Sequence, residues 1–125
     1  MATFTPKLTT LAHVSHRGLS MLISTTPFIE GRPVQDYKGA IYAQSILGAN
    51  VVLDLLAAIR DFVGGHSKSY ERVLARARED AMKNLVKEAE KLGANAILAV
   101  DLDYNTVGPQ GSMMMVSVSG TAVVL

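Results

Sequence analysis

Along this 125-residue chain the hydrophobic and polar positions form short strand-like runs at both ends and two helical stretches between them. Met21 to Thr26 is a short apolar run closed by Pro27 and by the turn residues Glu30-Gly31-Arg32-Pro33, and it predicts a strand. Val34 to Leu47 predicts a second strand, with Tyr37, Ile41, Ala43 and Leu47 on one parity and Gly39 permitting a bulge. The two are expected to pair as a hairpin. Met1 to Gly18 has no sustained period. The domain is therefore expected to span 21–125 behind an extension, 1–20, whose deletion should leave stability and assembly unchanged.

Gly48-Ala49-Asn50 ends the second strand, and Asn50 is a suitable N-cap for a helix from Val51 to Val63. Only Asp54, Arg60 and Asp61 are charged there, so Val51, Leu55, Leu56, Ile59 and Phe62 cover more than one face and call for burial on two sides. In so small a domain the second side is expected to be another subunit. Gly64-Gly65 ends that helix, and Ser67 or Ser69 caps a longer one reaching Leu92. Its core stripe is Tyr70, Leu74, Ala77, Ala81, Leu85, Ala89 and Leu92. Gly93 is the expected C-cap glycine. Ala96 to Tyr104 reads as a strand, 107–111 as a turn, and Met113 to Val123 as a half-buried antiparallel strand, in which Val116, Val118 and Ala122 alternate with Ser117, Ser119 and Thr121. The predicted order is ββααββ, an α+β fold whose mostly antiparallel sheet carries helices on one face. Leu-Gly-Ala-Asn occurs at 47–50 and 92–95, but one copy enters a helix and the other a strand, so it reads as shared turn chemistry rather than a repeat.

Composition narrows the function classes. Lys plus Arg is 12 and Asp plus Glu is 11, giving a net charge of +1, which argues against a nucleic-acid platform or a polybasic membrane patch. Residues 68–91 hold seven basic and five acidic side chains, the pattern of a solvated helix face. Hydrophobic residues make up 49% and charged residues 18%, an apolar surplus expected of a subunit. The absence of cysteine excludes a disulfide framework, a thiolate metal site and a cysteine nucleophile. Tyr104 to Leu125 lacks charge, but Asn105, Thr106, Pro109, Gln110, three serines and three glycines make it a strand–turn–strand rather than a membrane span. Leu19 to Ile23 is too short for a signal peptide, so a soluble cytoplasmic location is expected.

Four groups are candidates for chemistry. Gly64, Gly65, His66, Ser67, Lys68 and Ser69 stand at a helix start, where free N–H groups and the dipole favour an anion or other ligand, although the spacing of a P-loop is absent. An ordinary serine-capped turn is the alternative there. Asp101 and Asp103 share a strand face and can meet one hard cation, act as an acid/base pair, or simply be solvated. His66 is a candidate metal ligand shared between subunits, whereas His13 and His16 lack a third ligand. Met113-Met114-Met115 offers soft sulfur, but alternation sends Met114 to the opposite face, so packing explains the run better. No G-x-S-x-G, H-E-x-x-H, G-x-G-x-x-G or Walker A motif is present.

Several ordered segments resemble a known family. They are Ser24-Thr25-Thr26-Pro27, Glu30-Gly31, Ile46-Leu47-Gly48-Ala49-Asn50, Ile59-Arg60-Asp61, Val63-Gly64-Gly65, Tyr70-Glu71, Leu92-Gly93-Ala94-Asn95-Ala96, Asp101-Leu102-Asp103-Tyr104 and residues 115–123. Over about residues 21–125 they are similar to the YbjQ-like family of bacterial and archaeal proteins, which carries a heavy-metal-binding label. The resemblance implies a small α+β, dodecin-like subunit in a ring, typically a homopentamer, and no known reaction. It also marks Glu30, Arg60, Asp61, Tyr70 and Glu71 as motif residues. The chain departs from the family at His66, where many members have arginine, at Gln44, where many have glutamate, and near Lys38, where some have cysteine. Without thiolates, any divalent metal ion would need imidazole or carboxylate ligands built across subunits. The expectation is a non-enzymatic homo-oligomeric binding protein with a metal ion or small anion at subunit junctions near Gly64–Ser69. The alternatives are an assembly module without a small ligand, or an enzyme using Asp101, Asp103, or Glu30 with Arg32.

Overall fold

The computed structural model describes residues 12–16, 19–48 and 68–125. They form a five-stranded sheet with one long helix on one face. The strands are β1 (Ala12–His16), β2 (Leu19–Ile23), β3 (Asp36–Leu47), β4 (Ala96–Val107) and β5 (Met113–Val124), and the helix α1 is Lys68–Lys91. A 3-10 turn, Pro109–Gly111, joins β4 to β5. The spatial order is β1-β2-β4-β5-β3, with β2 and β4 parallel and every other neighbour antiparallel. This is the expected α+β architecture with a mostly antiparallel sheet. The helix expected at 51–63 lies outside the described residues.

The connectivity differs from the expected order in two places. The first two expected strands do not form a hairpin. β2 lies between β1 and β4, while β3 crosses to the far edge and pairs with β5 from Asp36↔Val124 to Leu47↔Met114. Each strand finds its partner through the core, where long-range burial outweighs adjacency in sequence. The segment expected to be an extension also carries structure: β1 pairs with β2 over five positions, from Ala12↔Ile23 to His16↔Leu19.

α1 forms because small and straight-chain residues recur on one face. Ala77, Ala81, Leu85, Val86 and Ala89 are buried, and the alanines let the helix approach the sheet closely. They pack on Met21, Ile23, Ile41, Ile97, Val116, Val118 and Ala122, with Val100 and Leu102 at the margin. Leu92, expected on the core stripe, is 43% exposed because the helix has ended. Gly93 adopts φ 77°, its N–H donates to Glu90 O at 3.0 Å, and Ala94 N–H donates to Ala89 O at 3.1 Å. Those two bonds are a Schellman motif, which satisfies carbonyls the helix leaves free.

A smaller cluster covers one end of the opposite face: Leu22, Ile29, Ala96, Leu98 and Val123, with Val34 and Leu125. Among the described residues nothing packs on the rest of that face. β5 shows the expected alternation, with Val116, Val118 and Ala122 buried against α1 and Ser117, Ser119 and Thr121 half-buried on the other side.

Candidate functional site

One extra residue in β4 decides which side chains reach the outer face, opposite α1. Leu98 pairs with Thr121 and Asp101 with Ser119, so three steps along β4 match two along β5. Such a bulge inverts the alternation. Leu98 lies in the outer cluster and Ile97 faces α1, whereas beyond the bulge Val100 and Leu102 pack toward α1 and Asp101 and Asp103 point outward. Ala99, at the bulge, has φ 53°. β3 has a matching irregularity between Tyr37 and Gly39, where Gly39 takes φ 127°. The bulge permitted by Gly39 is thus present, and it places Tyr37 away from Ile41 and Ala43: Tyr37 is 69% exposed, not on their core parity.

Two rows of paired positions follow on the outer face. Tyr42, Ser119 and Asp101 form one, and Gln44, Ser117 and Asp103 the next. With Ala43 and Val118 they line a cleft of about 250 Å³. The carboxylates stand two residues apart, roughly 6.6 Å along a strand. The expected shared face of Asp101 and Asp103 is therefore present. Among the described residues neither carboxylate has a hydrogen bond or counter-charge. The ion pairs found there, Lys38 Nζ–Asp36 Oδ2 at 2.7 Å and Lys91 Nζ–Glu88 Oε1 at 3.0 Å, involve other residues. With no counter-charge among the described residues, the pair attracts positive charge.

The other expected residues are not brought to this cleft within the described chain. Gly64, Gly65, His66 and Ser67 lie outside the described residues, as do Arg60 and Asp61. Lys68, Ser69, Tyr70 and Glu71 form the first turn of α1, and Glu30 is an exposed turn residue. His13 and His16 are in β1, at register positions opposite Leu22 and Leu19. Met113 and Met115 alternate with Met114 along β5, which bears out the expected split of the three sulfurs. Glu90 Oε1 on α1 is fully buried with no hydrogen-bond partner among the described residues, but it belongs to the helix side of the sheet. Among the described residues no three His, Cys, Asp or Glu side chains come together as a metal site. The donor set at the cleft is two carboxylates with hydroxyl and amide oxygens, which suits a hard cation and not a thiophilic one.

Sequence reasoning missed Tyr42, Gln44, Ser117 and Ser119 as neighbours of the carboxylates. The serines were legible as the polar side of β5, but their register against Asp101 and Asp103 depends on the bulge, which no glycine or proline in Ala99-Val100 announces.

Among the described residues no helix is long and apolar enough to cross a membrane. Comparison with known proteins identifies relatives. Two proteins from Caulobacter vibrioides, from strain NA1000 / CB15N and strain ATCC 19089 / CIP 103742 / CB 15, each named UPF0145 protein, are 96% identical to this chain over 105 residues. That match covers 84% of this chain and the whole of each relative. A crystal structure of a protein of unknown function from Pediococcus pentosaceus, of the DUF74 family, superposes with a TM-score of 0.57 at 17% identity, covering 84% of this chain and 97% of that one, and so supports the fold. Residues 21–125 match a family model described as "Putative heavy-metal-binding". The ordered motifs, the sheet and the extent of these matches lead to one assignment: the chain belongs to the YbjQ-like, UPF0145 family.

Proposed function

We propose that this protein is a non-enzymatic, homo-oligomeric binding protein, a ring of five subunits, whose outer sheet face holds a hard divalent cation at Asp101 and Asp103. The observation that carries this reading is the cleft in which both carboxylates stand beside Ser117, Ser119 and Gln44 with no counter-charge among the described residues. Two carboxylates leave a divalent ion under-coordinated, since such ions take six or more oxygen ligands, so water or a neighbouring subunit supplies the remainder. The family's heavy-metal description fits this chain only for metals that accept oxygen or imidazole ligands, because the chain has no cysteine.

Native mass spectrometry in the presence of Mn²⁺, Ca²⁺ or Zn²⁺ tests both parts of the reading. The expected result is a mass of five chains that gains reproducible metal, with the gain lost in Asp101→Asn/Asp103→Asn. A single-chain mass would overturn the ring. Metal uptake that is absent, or unaltered by the two substitutions, would overturn the site. A second reading, an assembly module without small ligand, draws on the exposure of Tyr42 (70%) and Ile46 (54%) on the same face as the carboxylates. It predicts that metal content is at background in the unaltered chain and stays there with the two asparagine substitutions.

A further inference from the structure

We infer that Ser24 and Thr26 are positioning residues for the Asp101–Asp103 face, because the loop they shape clamps the extra residue of β4 in place. A bulge leaves strand amides without ladder partners. Here Ala99 N–H donates to Thr26 O at 2.9 Å and Val100 N–H to Ser24 O at 3.1 Å, while Ser24 N–H donates to Ile97 O at 3.0 Å. The loop thus continues β2 as the bulge's own partner strand.

The side chains hold the two carbonyls in that orientation. Thr26 N–H donates to Ser24 Oγ at 3.1 Å, and Thr26 Oγ1 donates to Phe28 O at 2.8 Å. That leaves the Ser24 hydroxyl as donor in the 2.6 Å contact with Thr26 Oγ1, so every proton in the chain of bonds has one direction. Ser24, with 7% exposure, is the polar side chain found buried among the described residues, and its burial is explained by this network. Ala99 needs the support. Its φ of 53° is one that side-chain-bearing residues adopt rarely and keep only where the surroundings enforce it. Across the sheet, Gly120 faces the bulge, and a Cβ there would meet Ile97 Cγ2 at 2.6 Å and Leu98 O and Val100 Cγ2 at 3.3 Å. The bulge is therefore gripped by loop 24–26 on one side and fitted to a side-chain-free residue on the other. Loosening the loop loosens the alternation that sends Asp101 and Asp103 outward.

The significance of the face rests on the binding reading above; its orientation does not, and the two are tested separately. Because the chain has no cysteine, Asp101→Cys and Leu102→Cys each supply a unique thiol in the full-length protein. In an otherwise native chain the thiol at 101 should react with a maleimide at least about tenfold faster than that at 102. Adding Ser24→Ala with Thr26→Val should shrink that ratio several-fold, and should lower hydrogen-exchange protection of the Ala99 and Val100 amides without lowering that of the Leu85 amide. Ser24→Thr with Thr26→Ser, which keeps both hydroxyls, should restore it. An unchanged ratio, or equal loss of protection at Ala99, Val100 and Leu85, would overturn the positioning role. A wild-type protein that takes up no Mn²⁺ would sink the cation reading and leave this inference to the labelling ratio.

Discussion

Asn95 treats Leu125 as a strand would. Its Oδ1 accepts the Leu125 N–H at 2.8 Å and its Nδ2 donates to Leu125 O at 3.3 Å, while its own N–H donates to Val123 O at 3.0 Å. Asn95, two residues past the cap glycine Gly93, thereby closes the end of β5 and ties the end of α1 and the start of β4 to Leu125. Asn95→Ala removes both side-chain bonds and should cost about 1–2 kcal/mol, read as a lower urea midpoint with an unchanged slope. No change in the midpoint would mean that the bond pair contributes nothing in solution.

The glycine opposite the β4 bulge should tolerate no methyl group. Gly120→Ala introduces a Cβ 2.6 Å from Ile97 Cγ2 and 3.3 Å from Leu98 O, neither of them a flexible chain end. Overpacking of this kind costs about 1–3 kcal/mol. Gly48→Ala, where nothing lies within 4 Å and φ is ordinary, is the matched control. Equal melting temperatures for the two variants would contradict the close approach.

At the end of α1, Gly93 stands at φ 77° with open space around it, so an alanine there is strained by its backbone and not by its neighbours. Gly93→Ala should cost about 1–2 kcal/mol. Gly93→Asn should recover part of the loss, because asparagine tolerates the left-handed region better. If alanine and asparagine proved equivalent, the cap would not be under the strain described.

Starting the chain at Met21 removes β1 and the first two residues of β2, Leu19 and Ser20. The family match needs only residues 21–125, yet five positions of β1 pair with β2. The truncated chain should keep its assembly size in light scattering and lose a few degrees of melting temperature, at about 2–8 °C per kcal/mol for domains of this size range. A change in assembly size would make the N-terminal strand part of the oligomer.

The sequence was most legible where one periodicity ruled a whole element. Val116, Val118 and Ala122 against Ser117, Ser119 and Thr121 defined β5, and Ala77, Ala81, Leu85 and Ala89 defined the buried side of α1, with Gly93 marking its end. Asp101 and Asp103 were legible as a same-face pair, and Gly39 as a bulge position. Pairing was less legible. β2 and β3 are neighbours in the chain, but β2 joins β4 in parallel and β3 joins β5, a choice made by burial on both sheet faces. The β4 bulge left no mark because alanine, not glycine, occupies the left-handed position, and its partners lie more than seventy residues upstream in the Ser24–Thr26 loop.

The strand that holds the sheet together is the last of the five in chain order. β5 lies between β4 and β3, and without it β3 has no neighbour among the described strands. In chain order β2, β3, α1 and β4 all precede β5, so β3 must wait for its ladder partner. Twelve residues of strand, from Asp36 to Leu47, charged only at Asp36 and Lys38, stay without a ladder partner until β5 follows. A chain interrupted between β4 and β5 would thus carry a sticky, half-built sheet rather than a slightly shortened one.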